Sequence, residues 1–398
     1  MKILCVNAGS SSLKFQMYDM PEEKLIISGL IERIGIEGGV YTIKYNGEKN
    51  KVERNFKNHT EAAQVMLEEL VNYGAVESLD EIKGVGHRVL HGGERYNCSV
   101  LIDDEVVKAI KDLTKLGPLH HPGNLAGIEA MQKALKDVPM VAVYDTAFHQ
   151  TMPMKNFMYP VPMEWYEKYG VRKYGFHGTS HKYITEEMKH LLDNDKPNLI
   201  IAHIGSGASL SAIKNGECYD TTMGLTPLDG VMMGTRSGSI DPSILEYVCK
   251  ESGMDISEVT TKLNKESGYL GISGYSDSRD VEQAALRGEE NAKLAIDMYN
   301  DRVAKYIAQY YIELEGKVDA IVFTAGVGEN GSEFREDVMN KLAPIGIKVN
   351  KEVNNKIASF KDQHEGIISA PDSSVDVYVV PTNEEIMIIR DTYNLINK

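Results

Sequence analysis

Cysteine is sparse in this chain of 398 residues, and Cys5, Cys98, Cys218 and Cys249 stand far apart with no C-x-x-C pair. That spacing fits reduced thiols in a cytosol better than a disulfide framework or a zinc site. No apolar run approaches about 18 residues, and "ILCV" near the N-terminus is too short for a signal segment. Neither a membrane span nor a secretory leader is expected. Basic residues are outnumbered, and the formal net charge is −15. Nucleic-acid and anionic-membrane binding rest on clustered Lys and Arg, so neither partner is expected and any phosphate must be held locally. Two nucleotide signatures are also missing. The chain has no G-x-x-x-x-G-K-[ST], and "GHRVLHGG" lacks the Asp that follows His-Arg in protein kinases.

What is present reads as a folded α/β protein. Hydrophobic residues make up 42% and charged residues 25%, which leaves little room for long disorder. The length exceeds what one core usually serves, so two domains are expected. Strand-like runs open the chain ("KILCVN", "LKFQMY", "KLIIS", "VYTIKYNG"), and "HTEAAQVMLEELVNYG" follows as an amphipathic helix ending at Gly74. The strands "GVGHRVL" and "MVAVYD" bracket helices near 103–116 and 123–136. After about residue 198 the plan repeats: strand, Gly/Ser bend, strand, an Asn215-Gly216 turn, strand, a long helix near 289–314, then "DAIVFTA", "VDVYVV" and a last helix. Setting "VNAGSSSLKF" beside "HIGSGASLSA" shows one device used twice, which implies two duplicated α/β halves. The Pro-rich loop "DTAFHQTMPMKNFMYPVP" is the expected boundary. We expect one domain over 1–148 with 383–398 returning to it, and a second over 149–382.

The Gly/Ser bends suggest the chemistry. Successive backbone N–H groups and hydroxyls at a tight turn make a concave anion site, and Lys14 adds charge to the first copy. A plain hairpin turn is the alternative reading for either copy alone. "GVGENG" at 326–331 satisfies G-x-G-x-x-G after a strand, so a dinucleotide site must be weighed, although it lies near the chain's end rather than in a first βαβ unit. His87/His91 and His177/His181 have i, i+4 spacing, but neither pair forms H-E-x-x-H. His177 precedes a helix that Thr179 or Ser180 could cap, where it could donate to a phosphoryl group. Asp145 and Glu384 end or follow strands, as suits Mg²⁺, while Glu385 could form a capping box with Thr382. Arg88 and Arg236 sit in glycine-lined loops suited to bidentate binding of carboxylate or phosphate.

Taken in order, "VNAGSSSLKF", "GHRVLHGGE", "VAVYDTAFHQTMP", "YGFHGTSH", "MGLTPLDGVMMGTRSGSIDP", "FTAGVGENG" and "PTNEE" resemble the acetate kinase family across essentially the whole chain. The resemblance implies two ribonuclease-H-like domains of the actin-like ATPase class, each a mixed sheet flanked by helices. It implies a cytoplasmic homodimer that interconverts ATP plus acetate with ADP plus acetyl phosphate, using Mg²⁺, with Mn²⁺ as a substitute. By position, Asn7, Ser10, Ser12 and Lys14 match the first phosphate motif, and Ser206 and Gly207 fall in the second. Arg88 and Arg236 match the arginines that hold acetate and the transferring phosphoryl, Asp145, Asn7 and Glu384 match residues tied to Mg²⁺ and catalysis, and His177 matches the transition-state histidine. His120 and His203 match phosphate-region histidines. Leu90, Leu119, Phe176 and Pro227 would line the acetate methyl pocket, and Asp277, Ser278, Arg279, Gly326, Val327, Gly328 and Asn330 would surround the nucleotide. Ser206 stands where many members have Asn, Ser278 where a bulkier apolar residue is common, and Leu90 where some have Val.

Overall fold

A computed structural model describes residues 1–118, 120–358 and 363–398, and these divide into two units: Met1–Gln150 with Asn383–Lys398, and Thr151–Thr382. Leu119, expected in the methyl pocket, lies outside the described residues.

The first unit is built on β1 (Lys2–Ala8), β2 (Ser12–Asp19), β3 (Lys24–Glu32), β4 (Val40–Tyr45), β5 (Glu48–Glu53), β6 (Ile82–Val89), β7 (Val100–Leu101) and β8 (Met140–Tyr144). Among the described residues they form one sheet in the order β5-β4-β3-β2-β1-β6-β8-β7. β1 lies antiparallel to β2 and parallel to β6, and β6 lies parallel to β8. The central strands are covered on both faces, so β8 is apolar throughout and every residue of it is buried. Helices His59–Asn72 and His121–Ala134 close one face over Val6, Phe15, Met66, Leu70 and Met131. Every residue of β5 is exposed; with no apolar alternation it escapes the strand pattern, and its charges guard the sheet edge.

The second unit repeats the wiring with β9 (Leu199–Ile204), β10 (Ala208–Lys214), β11 (Glu217–Thr221), β12 (Ala320–Thr324), β13 (Gly366–Ile367) and β14 (Asp376–Val379), ordered β11-β10-β9-β12-β14-β13. β9 is antiparallel to β10 and parallel to β12, which is parallel to β14. The order β11-β10-β9-β12-β14 therefore matches β3-β2-β1-β6-β8, as the duplication predicts. Asn215 and Gly216 have φ of +53° and +80°, the paired left-handed conformation of a two-residue hairpin turn. Antiparallel pairing of β9, β10 and β11 excludes the all-parallel dinucleotide-binding sheet. "GVGENG" instead falls on helix Ala325–Asn330, directly after β12, with its last residue, Gly331, at the helix C-cap. Helix Glu290–Glu313 presents Ala292, Ala295, Tyr299, Val303, Ile307 and Tyr310 inward at helical spacing.

Candidate active site

In the first unit the Gly/Ser bend joins β1 to β2, and the Gly9 N–H donates to the Ser12 carbonyl at 2.9 Å. Asn7 pairs with Lys14 in register, and Ser10 at the tip is exposed. Helix His121–Ala134 begins against this bend. An ideal Cβ at Gly123 would stand 2.5 Å from the Gly9 carbonyl oxygen, so only glycine permits the approach. Asn124 then ties two segments together, donating to the Ala8 carbonyl at 2.8 Å and accepting from the Leu90 N–H at 3.1 Å. His120 precedes the same helix, half-buried, and Leu90 is buried beside Gly117.

Arg88 leaves the end of β6 beside Asp145, which follows β8. Its Nε lies 3.0 Å from Oδ1 and its Nη2 2.6 Å from Oδ2 of that carboxylate, while Nη1 stands 3.7 Å from Glu384. Burial opposes the guanidinium charge, but Asp145 and then Glu384 outweigh it and raise its pKa further. Glu384 arrives because helix Glu384–Ile396 lies flat on β6: a Cβ at Gly86 would meet Thr392 Oγ1 at 2.4 Å. The alternation of glycine at 84 and 86 makes that seat, with Arg88 next along the same face. The expected Thr382–Glu385 capping box does not form. Asn383 caps the helix, its side chain accepting from the Ile386 N–H at 3.0 Å, and Glu385 pairs with Lys14. Thr382 is held elsewhere, its N–H donating to Glu329 Oε1 at 3.1 Å.

In the second unit the bend Gly205–Ser206–Gly207 joins β9 to β10, with the Gly205 N–H donating to the Gly207 carbonyl at 3.0 Å. An ideal Cβ at Gly207 would stand 2.8 Å from His177 Nε2 and 3.8 Å from Arg236 Nη1. Those two side chains thus meet the turn at its glycine. His177 has φ +58°, an uncommon conformation for a non-glycine residue, and itself occupies the N-cap position of helix Gly178–Leu191. Thr179 and Ser180 lie inside the first turn rather than capping it, which corrects the expectation. The His177 ring stacks on His203 with centroids 4.3 Å apart. Ser180 Oγ in turn lies 2.8 Å from His203 Nδ1. His181 contacts Ser209 Oγ through Nε2 at 3.0 Å, buried behind the turn.

Arg236 is half-buried, and Nη1 donates to the Pro227 carbonyl at 3.2 Å. No carboxylate pairs with it among the described residues, and burial lowers its pKa. Its loop is pinned from below, since the Tyr269 N–H donates to the Met233 carbonyl at 2.9 Å, and a Cβ at Gly268 would fall 2.0 Å from that same oxygen. Phe176 is buried one residue before His177.

A cavity of about 870 Å³ opens from the second turn. Ser206, Gly207 and Arg236 stand on its wall with Asp277, Ser278, Arg279, Gly326, Val327 and Asn330. Asp277 caps helix Ser278–Leu286 and pairs with Arg279, whose hydrogen bonds hold its carboxyl down to about 2. The volume and mixed polar lining suit a small polyfunctional ligand.

A family profile described as the acetokinase family matches residues 2–390. The chain belongs to the acetokinase family. An acetate kinase of Finegoldia magna is 51% identical over 398 residues, covering 99% of this chain and 100% of that one. The solved acetate kinase of Porphyromonas gingivalis matches with a TM-score of 0.93 at 42% identity, covering 99% of each chain. A propionate kinase structure from Francisella tularensis matches with a TM-score of 0.93 at 40% identity, again over 99% of each. The two mixed sheets are those of the actin-like ATPase fold, and the protein is a kinase-type phosphotransferase.

Within this acetokinase-family chain some cavity residues lie outside the motifs: Thr235, Tyr269, Ser276, Glu282, Tyr299 and Gly331. Tyr299 and Tyr269 stack at 4.8 Å and come from helices whose apolar faces read simply as core. Burial, with Glu333 and Asp277 nearby, raises the Glu282 pKa. Gly328 departs from the expectation, because it is buried and turned to the Ala202 carbonyl and Ile204, packing the helix onto β9 rather than lining the cavity.

Proposed function

We propose that the protein is an acetate kinase, catalysing Mg²⁺-dependent, reversible, direct in-line transfer of the γ-phosphoryl group of ATP to acetate. The observation that carries the reading is Arg236. It is a half-buried cation with no carboxylate partner among the described residues, beside Gly207 and His177 on the wall of a nucleotide-sized cavity. A desolvated guanidinium without an acidic partner is costly unless an anion completes it, and phosphate geometry suits its planar fork.

Acetate is already an anionic nucleophile, so no strong general base is needed. Its carboxylate oxygen forms the new bond to the γ-phosphorus as the bridging oxygen leaves with its electron pair on ADP. Catalysis then consists of aligning two anions and spreading charge. Arg88 takes the acetate, Arg236 and His177 the transferring phosphoryl, and Asp145 orients Arg88. Ser10, Ser12, Ser206, His120 and His203 take phosphate oxygens, and the wall formed by Asp277, Ser278, Arg279, Gly326, Val327 and Asn330 takes the nucleoside. Leu90, Phe176 and Pro227 face the methyl group. The carboxylate of Glu384 and the amide of Asn7 are oxygen donors, which fits a hard cation that keeps several waters. Mg²⁺ held there would neutralise phosphate charge, and Mn²⁺ would substitute.

Residues 1–148 with 383–398 and residues 149–382 would then form an actin-like domain and a nucleotide-binding, dimerising domain of a cytoplasmic homodimer that binds only small molecules. Free thiols at all four cysteines are in keeping with that compartment. Among the described residues no helix is long and apolar enough to cross a membrane.

The test is acid-dependent ADP formation with trapping of the product as a hydroxamate, across C2 to C4 acids and with ATP, GTP and pyrophosphate as donors. Acetate with ATP should give the highest kcat/KM. A propionate optimum would make it a propionate kinase, a reading that the match to the Francisella enzyme supports. No acyl phosphate from any pair would reject both.

A further inference from the structure

The loop over residues 224–239 carries both Pro227 and Arg236, and it is closed by a carboxylate that the phosphoryl-transfer reading leaves unused, Asp229. Its Oδ1 accepts from Ser239 Oγ at 2.6 Å and from the Gly230 N–H at 2.9 Å, and its Oδ2 accepts from Tyr159 Oη at 3.2 Å. The Tyr159 oxygen itself accepts the Leu225 N–H at 3.0 Å, so the phenol proton is free to go to Asp229. Because Ser239 gives its proton to the carboxylate, Tyr306 is the donor in the contact between those two hydroxyls at 3.1 Å. Tyr159 lies in the Pro-rich loop and Tyr306 in helix Glu290–Glu313, so the loop is tied to the second unit at both ends.

The fit is close. An ideal Cβ at Gly224 would stand 2.0 Å from Tyr159 Oη and 2.7 Å from Asp229 Oδ2, so the phenol and the carboxylate meet where only glycine leaves room. Burial, with Asp229 beside it, raises the Tyr159 pKa and keeps the phenol a donor. Two residues before Asp229 stands Pro227, whose carbonyl accepts from Arg236 Nη1 at 3.2 Å. Among the described residues that carbonyl is the one oxygen that the guanidinium holds, and its other partner is the Met233 sulfur at 3.5 Å. A long, rotamer-rich side chain with one oxygen for an anchor points wherever that oxygen is held.

We infer that Asp229, through Tyr159 and Ser239, is a positioning residue that fixes the Pro227 carbonyl and thereby the aim of the Arg236 guanidinium. The phosphoryl group that Arg236 meets rests on the proposed kinase reading; the ordering of the guanidinium does not. In Asp229→Asn one acceptor oxygen becomes an NH₂ group facing donors, so a link of the loop is lost at nearly constant volume.

A double-mutant cycle on the full-length protein separates this role from a merely structural one. Asp229→Asn should lower kcat by about tenfold with KM for ATP changed less than about twofold, since small displacements of an aligned group are costly to the transition state. In an Arg236→Ala background the same substitution should change kcat by less than about twofold, because nothing is left to aim. Tyr159→Phe, which keeps the carboxylate and its other donors, should repeat the pattern with about a threefold loss and carries the test if Asp229→Asn does not fold. Equal losses in both backgrounds overturn the proposal, and so does full turnover in the variants made on the natural background. Nuclear spin relaxation of the Arg236 Nε–H in the ligand-free protein, assigned with Arg236→Ala, reads the ordering without turnover. Its order parameter should exceed about 0.6 in the natural protein and fall below that in Asp229→Asn, or in Tyr159→Phe if the former does not fold. A mobile guanidinium in the natural protein, or one unchanged in the variant, also overturns the proposal. Failure of the natural protein to phosphorylate any acid would sink the kinase reading alone, and the relaxation measurement would then decide the positioning role.

Discussion

Arg88 and Arg236 are the same residue type in glycine-lined segments, yet their surroundings treat the charge in opposite ways. Arg88 is gripped through two nitrogens by Asp145, which is 1% exposed, with Glu384 nearby. Arg236 has a carbonyl and a thioether sulfur for company. Two further basic side chains complete the comparison. Arg335 is fully buried and satisfied by neutral oxygens alone, donating to the Gly328, Glu329, Asn354 and Ile357 carbonyls and to Asn354 Oδ1, and burial lowers its pKa to about 10. His87, on the opposite face of β6 from Arg88, is buried with Nε2 unpartnered, and burial pushes its pKa down to about 3. A histidine in that position sheds its proton, whereas an arginine cannot, so of these four side chains Arg236 is the one that keeps its charge with neither a carboxylate nor a full set of neutral oxygens around it.

The comparison breaks most sharply at Arg88. Replacing it with Met leaves the Asp145 carboxylate buried without its partner and should cost about 3–5 kcal/mol of stability in urea unfolding, with part recovered by adding Asp145→Asn. Equal stability of the single variant and the natural protein would mean that the pair is not a structural bond. At Arg236 the balance should invert: Arg236→Ala lowers turnover by about 10²- to 10³-fold. Its unfolding midpoint should move little, and full turnover in that variant would remove the observation on which the functional reading stands.

His87 sharpens the contrast through pH. Its folded pKa, about 3, lies below the ordinary 6.5, so between those values the unfolded chain binds the extra proton. The contribution is therefore fully present above pH 6.5 and lost as the solution is acidified toward pH 3. Stability should fall by about 2 kcal/mol between pH 7 and pH 5 from this residue. His87→Leu should flatten that part of the profile whatever its stability at neutral pH. The smallest effect is at Leu90, next to the arginine strand. Leu90→Val should shift the acetate-to-propionate ratio of kcat/KM toward propionate by about 1 kcal/mol, the low end for one methylene in a pocket. An unchanged ratio would place Leu90 outside the methyl pocket.

Much of the architecture was legible because its signals are local. "LIIAHI" reads as a strand, and it forms β9, every residue of which is buried. Asn215-Gly216 reads as a hairpin turn and has the left-handed geometry. The same dipeptide at Asn46-Gly47, with φ of +48° and +81°, also marks the turn into β5, but the polar run after it masked the strand. Caps were less legible. Thr382 and Asn383 are adjacent candidates, and the backbone N–H of the first is taken up by donating to Glu329, some 53 residues away in sequence. "GVG" before His87 reads as strand, while its use as a seat for a helix at the other end of the chain depends on Thr392 and Ile388. In the site, Gly/Ser turns and arginines stand out by type. Tyr269, Tyr299 and Glu282 do not, since residues at core spacing look alike whether or not a cavity opens beside them.

By itself the sequence determined two mixed sheets, a Gly/Ser turn at the head of each, and a supply of arginines and histidines near those turns. Periodicity and turn propensity act over a few residues, so they survive without knowledge of the rest of the chain. Tertiary structure alone decided which arginine is neutralised by a carboxylate, which histidine is stripped of its charge, and which glycine faces the cavity. Desolvation and the choice of hydrogen-bond partner depend on atoms that only folding brings together.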